Sequence, residues 1–306
     1  MSVQIPYVRD ISFDYGACDE VSPLIRRVVA NNPSAFTYKG TGTYIIGHGD
    51  VAVVDPGPLL MPHVEALLAA LEGETVSHIL ITHTHSDHSP AAKPLKSLTG
   101  APTYAFGPHG AGMEGAGGGG DDVKVEEDGD MAFKPDVEVR HGDVLEGDGW
   151  SVECVYTPGH TSNHMCFALR EEKALFTGDH VMGWSTSVVS PPDGNMKRYM
   201  ESLKLLLTRD DEVYWPTHGP AITDPKPFVR AFIAHREERE QQILKQLAAG
   251  RTRIADMVPV VYAAVDKRLH PAAARSMLAH IEYLVERGIV AADGKPNLGA
   301  TYRLVA

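Results

Sequence analysis

THTHSDH, residues 82–88, begins at the last residue of the apolar run SHILIT, which ends at Thr82. An apolar run of this length between polar residues is typical of a buried β-strand, so the motif is predicted at a strand end. In an extended loop, side chains two positions apart point the same way, which places His83 beside His85. Asp87 and His88 follow as the chain bends towards the next helix. Imidazole nitrogens and a carboxylate oxygen suit zinc, manganese or iron(II), so this cluster predicts a metal site.

Further downstream, three more residues of metal-binding type follow strand-like runs. They are His160 in TPGHT, Asp179 in FTGD and His218 in PTHG. Each one alone is weak evidence, because Gly-Asp and Gly-His turns are common for reasons of turn geometry. Together they predict a site at one edge of a sheet sandwich.

The order of elements around the motif indicates an α/β protein. TYIIG and VAVVD are predicted to form a hairpin, MPHVEALLAALEG a helix, and SHILIT the next strand. Strand, helix, strand in this order favours a layered α/β architecture. The glycine-rich and charged segment 107–130 is predicted to be a loop, either a lid over the site or a solvated insertion.

From Lys226 onward the pattern changes to three helices followed by two short strands. This is the outline of a winged helix, a module used both on DNA and for packing. We therefore predict a first domain over residues 1–222 and a winged-helix-like domain over residues 223–306. The helix that contains Phe232 and Ile243 is predicted to pack the second domain against the first.

Composition bounds the function. The chain has 306 residues, of which 43% are hydrophobic and 22% charged, as in a soluble globular protein. Three widely spaced cysteines favour buried free thiols. No signal peptide or membrane span is visible, so we expect a cytoplasmic protein without a membrane partner.

The net charge of −12 is unevenly distributed along the chain. From Lys226 onward the net charge is +5, and the preceding residues carry −17. The basic tail indicates an anionic partner or an ordinary solvated surface.

In their order and spacing, the motifs HxHxDH, GHT, GD and HG resemble the metallo-β-lactamase superfamily, which implies a four-layer αββα sandwich. The resemblance also implies the ligands: His83, His85 and His160 for a first metal, Asp87, His88 and His218 for a second, and Asp179 for both. Asp55, in VVDPG, matches an aspartate that supports this site from below, although an ordinary turn aspartate is the alternative.

NPSAFTYKGTGTYIIG, TPGHTSNHMCF and HREEREQQIL are similar to the beta-lactamase-like protein two family. Members of that family join the hydrolase domain to a C-terminal winged helix and are associated with cleavage of single-stranded RNA. The glycine-rich insert near residues 113–130 departs from that family.

The resemblance implies a hydrolase with two Zn²⁺ ions, with Mn²⁺ or Fe²⁺ as alternatives. Two metal ions about 3.5–4 Å apart lower the pKa of a shared water, so a bridging hydroxide is the expected nucleophile. Asp87 and His88 are predicted to act in catalysis, and His164 to lie behind the ligands. Lys197 and Arg198 are weak candidates for contact with an anionic substrate, since an exposed helix start would explain them equally well.

Three activities remain open at this stage. A phosphodiesterase acting on single-stranded RNA uses the same ligands as a glyoxalase II-like thioesterase or small-ester hydrolase. A closed neutral pocket would favour a thioester, and an open positive groove would favour RNA. A mononuclear iron persulfide dioxygenase, which leaves Asp87 and His88 unligated, is the alternative from another class. The sequence does not decide the substrate, the native metal or the oligomeric state.

Overall fold

The computed structural model describes residues 3–113 and 128–305. The first sheet contains the strand that precedes the motif THTHSDH. In this sheet the third and fourth strands are antiparallel, whereas the fourth and fifth are parallel and therefore need a crossover connection, here a helix. That helix is α1 (Met61–Ala70), and α2 (Ala92–Thr99) makes the next crossover. The strands lie in the order β1 (Cys18–Glu20), β2 (Ile25–Val29), β3 (Gly42–Ile46), β4 (Asp50–Val54), β5 (Thr75–Leu80), β6 (Thr103–Ala105) and β7 (Val137–Glu138).

The second sheet is antiparallel except at one edge. Its last two strands run parallel and are joined by α3 (Met196–Thr208), which crosses over the outer face of the sheet. The strand order runs from β12 (Val213–Pro216) through β11 (Ala174–Gly178), β10 (Met165–Leu169) and β9 (Trp150–Tyr156) to β8 (Val144–Gly147).

Alternation along each strand builds the layers. Val51 and Val53 of β4 pack against α1 and α2, whereas Ala52 and Val54 pack towards the second sheet. Because successive side chains of a strand point to opposite faces, a strand buried on both faces reads as the continuous apolar run VAVV. The expected helix–sheet–sheet–helix sandwich is therefore confirmed, with α3 on the outer side of the second sheet.

The helix α4 (Pro225–Ala248) belongs to two cores. Phe228 and Phe232, in its first half, pack with α3 on the second sheet. Ile243 and Leu247, in its last turns, pack into the C-terminal core. The prediction that this helix joins the tail to the body is thus confirmed. The boundary at residue 222 falls between β12 and α4 and stays a prediction, since α4 serves both parts.

The C-terminal part has the predicted outline. After α4 come α5 (Ile254–Val261), a 3₁₀ turn at Lys267–Leu269, α6 (His270–Glu286) and an antiparallel pair, β13 (Val290–Ala292) with β14 (Tyr302–Leu304). The core between these elements is apolar and includes Met277, Ile281 and Tyr302. The last turns of α4, the helices α5 and α6, and the β13–β14 ribbon thus form a small C-terminal module.

Other expectations have mixed outcomes. Cys154 and Cys166 are buried free thiols, but Cys18 is exposed, because β1 lies at the edge of the first sheet. The centre of the glycine-rich segment, residues 114–127, lies outside the described residues, so its role stays a prediction. Among the described residues, no helix combines the length and apolar character needed to cross a membrane.

The winged-helix module offers a test of pH-dependent stability at Glu282. Burial raises the pKa of this carboxyl from 4.5 to about 7. The folded chain therefore keeps a proton that the unfolded chain loses, so this contribution to stability is complete below pH 4.5 and is lost as the pH rises through 7. We expect Glu282→Gln, which cannot ionise, to raise the Tm relative to wild type at pH 8 and to change it little at pH 5.

Calorimetry at the two pH values measures this difference. The exposed Glu201→Gln is the matched control and should show no pH-dependent shift. A Tm change of the same size at pH 5 and pH 8 would contradict the assignment.

Candidate metal centre

The ends of strands from both sheets meet at one edge and carry the predicted residues. Asp55 follows β4 and the motif residues follow β5; because β4 and β5 are parallel, both strands end at the same side. The second sheet contributes residues that follow β9, β11 and β12. All the predicted ligands are buried there: His83, His85, Asp87, His88, His160, Asp179 and His218.

Three imidazoles form a first cluster. Nε2 of His83 lies 3.0 Å from Nδ1 of His85, and Nε2 of His160 lies 3.1 Å from the same Nδ1. Burial lowers the pKa of all three rings, so they are neutral. Three buried nitrogen atoms that converge in this way have the chemistry that a divalent cation requires.

A second cluster joins two imidazoles to a carboxylate. Nε2 of His218 lies 3.0 Å from Oδ2 of Asp87, and Nε2 of His88 lies 3.5 Å from Oδ1 of Asp87. Burial opposes the charged form of both rings, but Asp87 and Asp179 outweigh it and raise the pKa of His88 and His218, the latter to about 10. A cation placed among these groups would take over the role of the two protons.

Asp179 lies between the two clusters. Its Oδ2 is 3.9 Å from Nε2 of His160, and its Oδ1 is 3.4 Å from Nε2 of His218 and 3.6 Å from Nε2 of His88. Both Oδ1 of Asp179 and Nε2 of His88 are buried without a hydrogen-bond partner. Orphaned buried polar atoms are rare, and a bound cation would satisfy both, so the chemistry of these residues fits a metal site.

Outer hydrogen bonds aim the rings at the centre. Nδ1 of His160 lies 2.7 Å from the Val188 carbonyl, and Nδ1 of His218 lies 3.1 Å from the Gly40 carbonyl. Nδ1 of His88 lies 2.9 Å from Oδ2 of Asp55. Because a carbonyl or carboxylate oxygen only accepts, each Nδ1 carries the hydrogen and leaves the Nε2 lone pair towards the cluster.

Asp55 connects three of the converging segments. It is fully buried, and its two oxygens accept from the backbone N–H of Thr82 at 2.8 Å, the Thr82 hydroxyl at 2.7 Å and the Thr217 hydroxyl at 3.0 Å. With His88, these partners link the ends of β4, β5 and β12. This geometry favours the supporting role over an ordinary turn aspartate.

His164 supports the site from the side of the second sheet. Its Nε2 accepts from the backbone N–H of Asp179 at 3.3 Å, its Nδ1 lies 2.9 Å from the Thr157 hydroxyl, and its ring stacks on His83. Gly178 makes this approach possible, because it has φ +50° and a Cβ there would lie 2.6 Å from Nε2 of His164. The glycine before Asp179 therefore serves the site as well as the turn.

Lys197 and Arg198 lie outside the pocket above the clusters. Lys197 forms an ion pair with Glu286 on α6, and Arg198 donates to the Gly112 carbonyl at 2.7 Å. Both residues stand at the start of α3, where Asn195 caps the helix. Their contact with a substrate stays a prediction, which this placement does not favour.

Some residues of the site carry no local sequence signal. The recess above the clusters, hereafter the metal recess, is a cavity of about 20 Å³ walled on its apolar side by Phe36, Met182 and Val188. The Thr84 hydroxyl of the motif accepts from Asn163 at 2.9 Å, and the backbone N–H of Ser86 donates to the Asp128 carbonyl at 2.7 Å. These partners are far away in sequence, so no spacing pattern could have indicated them.

Replacing the Asp55 carboxylate tests the support of the centre. Asp55 has φ +48°, a conformation that asparagine tolerates, so Asp55→Asn removes the charge without added backbone strain. The amide cannot accept from all of its partners and places an N–H against one of them. We expect zinc affinity to fall about 10- to 100-fold, as for other groups that orient a metal-binding histidine.

Competition with a chromophoric chelator measures this affinity. Asp50→Asn, at the opposite end of β4, is the matched control and should bind zinc like the wild type. Unchanged affinity in Asp55→Asn would show that the carboxylate does not orient His88.

Comparisons with known proteins agree with this geometry. A model of the metallo-beta-lactamase superfamily matches residues 39–218, and one of the beta-lactamase associated winged helix domain matches residues 254–299. Solved structures with the same fold include a beta-lactamase domain protein from Burkholderia ambifaria, with TM-score 0.79 and 19% identity over 97% of this chain and 96% of that one. A metallo-beta-lactamase family protein from Thermus thermophilus has TM-score 0.72 and 22% identity over 94% of this chain and all of that one.

Relatives in sequence carry two kinds of name. Lactamase-like protein nscB of Aspergillus fumigatus is 35% identical over 231 residues, which are 74% of this chain and 62% of that protein. The chain thus spans less than two thirds of that relative. An atrochrysone carboxyl ACP thioesterase of Claviceps purpurea is 31% identical over 260 residues, 80% of this chain and 74% of that protein. With its family matches, its fold and these relatives, the chain belongs to the metallo-beta-lactamase superfamily and carries the associated winged helix domain.

Proposed function

We propose that the chain is a metal-dependent hydrolase with a dinuclear centre and that it acts on acyl thioesters. The observation that carries the proposal is the position of Asp179, whose two oxygens face two buried clusters of histidine and aspartate side chains. A thioesterase among the relatives, matched over 74% of its length, supports the substrate class. In the reaction, a water oxygen adds to the carbonyl carbon, the C–S bond breaks, and a carboxylic acid and a thiol are released.

The protein's residues have separate tasks in this proposal. When bound, two divalent cations would activate the water and polarise the carbonyl oxygen. The donor set suits zinc, with manganese or iron(II) as alternatives. The proposed ligands are His83, His85 and His160 for one cation, Asp87, His88 and His218 for the other, and Asp179 for both. Asp55 and His164 hold this set in place by hydrogen bonds.

The metal recess supports an acyl substrate. Its volume of about 20 Å³ accommodates roughly one water-sized body, and Phe36, Met182 and Val188 form an apolar wall beside the ligands. An apolar wall excludes bulk water and strengthens the electrostatic interactions at the reacting carbonyl. The apolar wall beside the ligands suits an acyl group, and the relatives named above do not support the prediction of an RNA substrate.

The second cluster also supports a hydrolase over a mononuclear iron dioxygenase. Asp87 is 3% exposed, lies 3.0 Å from His218 and interacts electrostatically with Asp179. His88 is held by Asp55 with its Nε2 towards these oxygens. A site that used one metal would leave this buried, oriented cluster without a function.

Thioester hydrolysis gives the direct test. We expect the zinc-loaded protein to release thiol from an S-acyl pantetheine, followed with a chromogenic thiol reagent. Asp87→Ala should lower the rate about 100-fold or more, the usual cost of removing one preorganised group that stabilises charge. The exposed His48→Ala is the matched control and should keep full activity. Cleavage of single-stranded RNA without thioester hydrolysis would overturn the proposal in favour of a phosphodiesterase.

Metal content tests the two-cation centre independently of activity. We expect the protein to hold about two equivalents of zinc per chain after equilibrium dialysis and elemental analysis, as a bridged pair of sites requires. His218→Ala removes a group of the second cluster only, so it should hold about one. One equivalent in both proteins, or iron bound in preference to zinc together with oxygen consumption, would contradict the dinuclear hydrolase.

A further inference from the structure

A cleft lies between the metallo-β-lactamase domain and the winged helix module. Its volume is about 320 Å³, within the range of small-molecule sites. One wall is formed by Phe36 and the segment 185–188, and the other by α4 together with Tyr262 and residues near the start of α6. We call this space the interdomain cleft.

The interdomain cleft adjoins the metal recess. Phe36 and Val188 line both cavities. Val188 also holds His160 by its carbonyl, and the neighbouring Ser187 carbonyl accepts from Arg236 at 2.5 Å. A ligand that spanned both cavities would therefore pass Phe36 and Val188.

Two arginines without acidic partners face this space. Arg236 and Arg239 lie three residues apart on α4, so their side chains share one side of the helix. Arg236 is only 3% exposed, and its Nε is buried without a hydrogen-bond partner. Arg239 donates to the Val261 carbonyl at 2.6 Å and stacks over Tyr262. Within residues 3–113 and 128–305, neither guanidinium forms an ion pair with a carboxylate.

Nearby acidic groups have other partners. Glu240, one residue beyond Arg239, pairs with Arg287 at 2.8 Å, and Glu238 accepts from the backbone N–H of Val3 at 3.0 Å. Burial, together with Arg236 and Arg239, lowers the pKa of His235, another cleft residue, to about 4, so this ring adds no charge beside the two guanidinium groups. Arg236 and Arg239 therefore place two like charges on one helix face. Their hydrogen bonds go to the oxygens of Ser187, Gln242 and Val261, so no carboxylate balances their charge and an anion could do so.

We propose that the interdomain cleft binds the phosphate-bearing arm of the thioester substrate, with Arg236 and Arg239 meeting the phosphate. This inference rests on the proposed thioesterase function and narrows it to phosphopantetheine thioesters. Such an arm has a thiol at one end, an amide-containing chain in the middle and a phosphate at the far end. The thioester carbon then reaches the metal recess while the phosphate stays in the cleft, and guanidinium groups suit phosphate oxygens through paired hydrogen bonds.

The middle of the cleft suits the arm. Besides the arginines, its wall includes Val265, Leu269, Ala272 and Ala273, which offer apolar surface to the hydrocarbon part of the chain. The phosphopantetheine arm has two sources, an acyl carrier protein and coenzyme A, and both present the same phosphate. The proposal concerns the phosphopantetheine arm that both sources share, and the kinetic experiment below distinguishes the carrier protein from coenzyme A.

Binding of the arm alone tests the cleft without catalysis. We expect calorimetry to show that the zinc-loaded protein binds 4′-phosphopantetheine about tenfold or more tightly than pantetheine, which lacks the phosphate. Arg239→Gln should lose this preference, whereas Arg239→Lys should keep most of it. Arg230→Gln, an exposed position on the same helix, is the matched control and should bind as the wild type does. Thermal unfolding of each variant shows whether it is folded.

Kinetics with matched thioesters completes the test. Arg239→Gln should raise the KM about tenfold for an S-acyl phosphopantetheine and leave the KM for the S-acyl pantetheine unchanged. Faster turnover of an acyl carrier protein than of an acyl coenzyme A identifies the carrier as the source, and the reverse identifies coenzyme A.

The possible failures differ. Selective binding of the phosphate-bearing arm without any thioester hydrolysis would support the phosphate site in the cleft and would overturn the proposed thioesterase activity. Thioester hydrolysis with equal affinity for 4′-phosphopantetheine and pantetheine would overturn the proposed role of the cleft. So would an equal loss of affinity for 4′-phosphopantetheine in Arg239→Gln and Arg230→Gln. Displacement of 4′-phosphopantetheine by a short single-stranded RNA at lower concentration than by the arm itself also overturns it, in favour of a nucleic-acid site.

Discussion

The buried carboxylate of Asp55 is the constraint on which the centre depends. A fully buried charge costs free energy unless hydrogen bonds and opposite charges compensate it, and here four donors do so. Those donors come from the motif loop after β5 and from the loop after β12. The aspartate therefore fixes the separation of segments that start in different sheets, and it turns one ring of the second cluster towards the metal position.

A series of hydrogen bonds leads from the centre to helix α4. His160 is held by the Val188 carbonyl, and the adjacent Ser187 carbonyl is held by Arg236 of α4. The first half of α4 is packed on α3, so this arginine has a fixed position relative to the second sheet. Helix α4 consequently contributes, through Ser187 and Val188, to the position of the His160 ring.

The local patterns of the sequence predicted the main elements and the cluster at the motif, because both depend on short-range periodicity, whereas the proposed ligand set came from the resemblance to the superfamily. The run VAVV indicated a strand buried on two faces, and THTHSDH indicated a cluster at a strand end. The sequence could not show what pairs residues far apart, such as Asp55 with Thr217 or Asn163 with Thr84. Lys197 and Arg198 were weak candidates for substrate contacts, and no sequence pattern pointed to Arg236, whose burial only the structure shows.

The charge distribution is consistent with the proposed preference for an arm with one phosphate over a polynucleotide. The chain carries −12 overall, so a long polyanion meets repulsion at a distance, and the affinity of nucleic acid depends on many phosphate contacts at once. A short arm meets two local positive regions instead: the guanidinium groups of the interdomain cleft, and the metal recess, where two dications would exceed the two carboxylates Asp87 and Asp179. An arm with a single phosphate can enter such a confined site, while its neutral thioester lies beside the apolar wall. If the proposal holds, the protein would therefore select an anion by its size as well as by its charge.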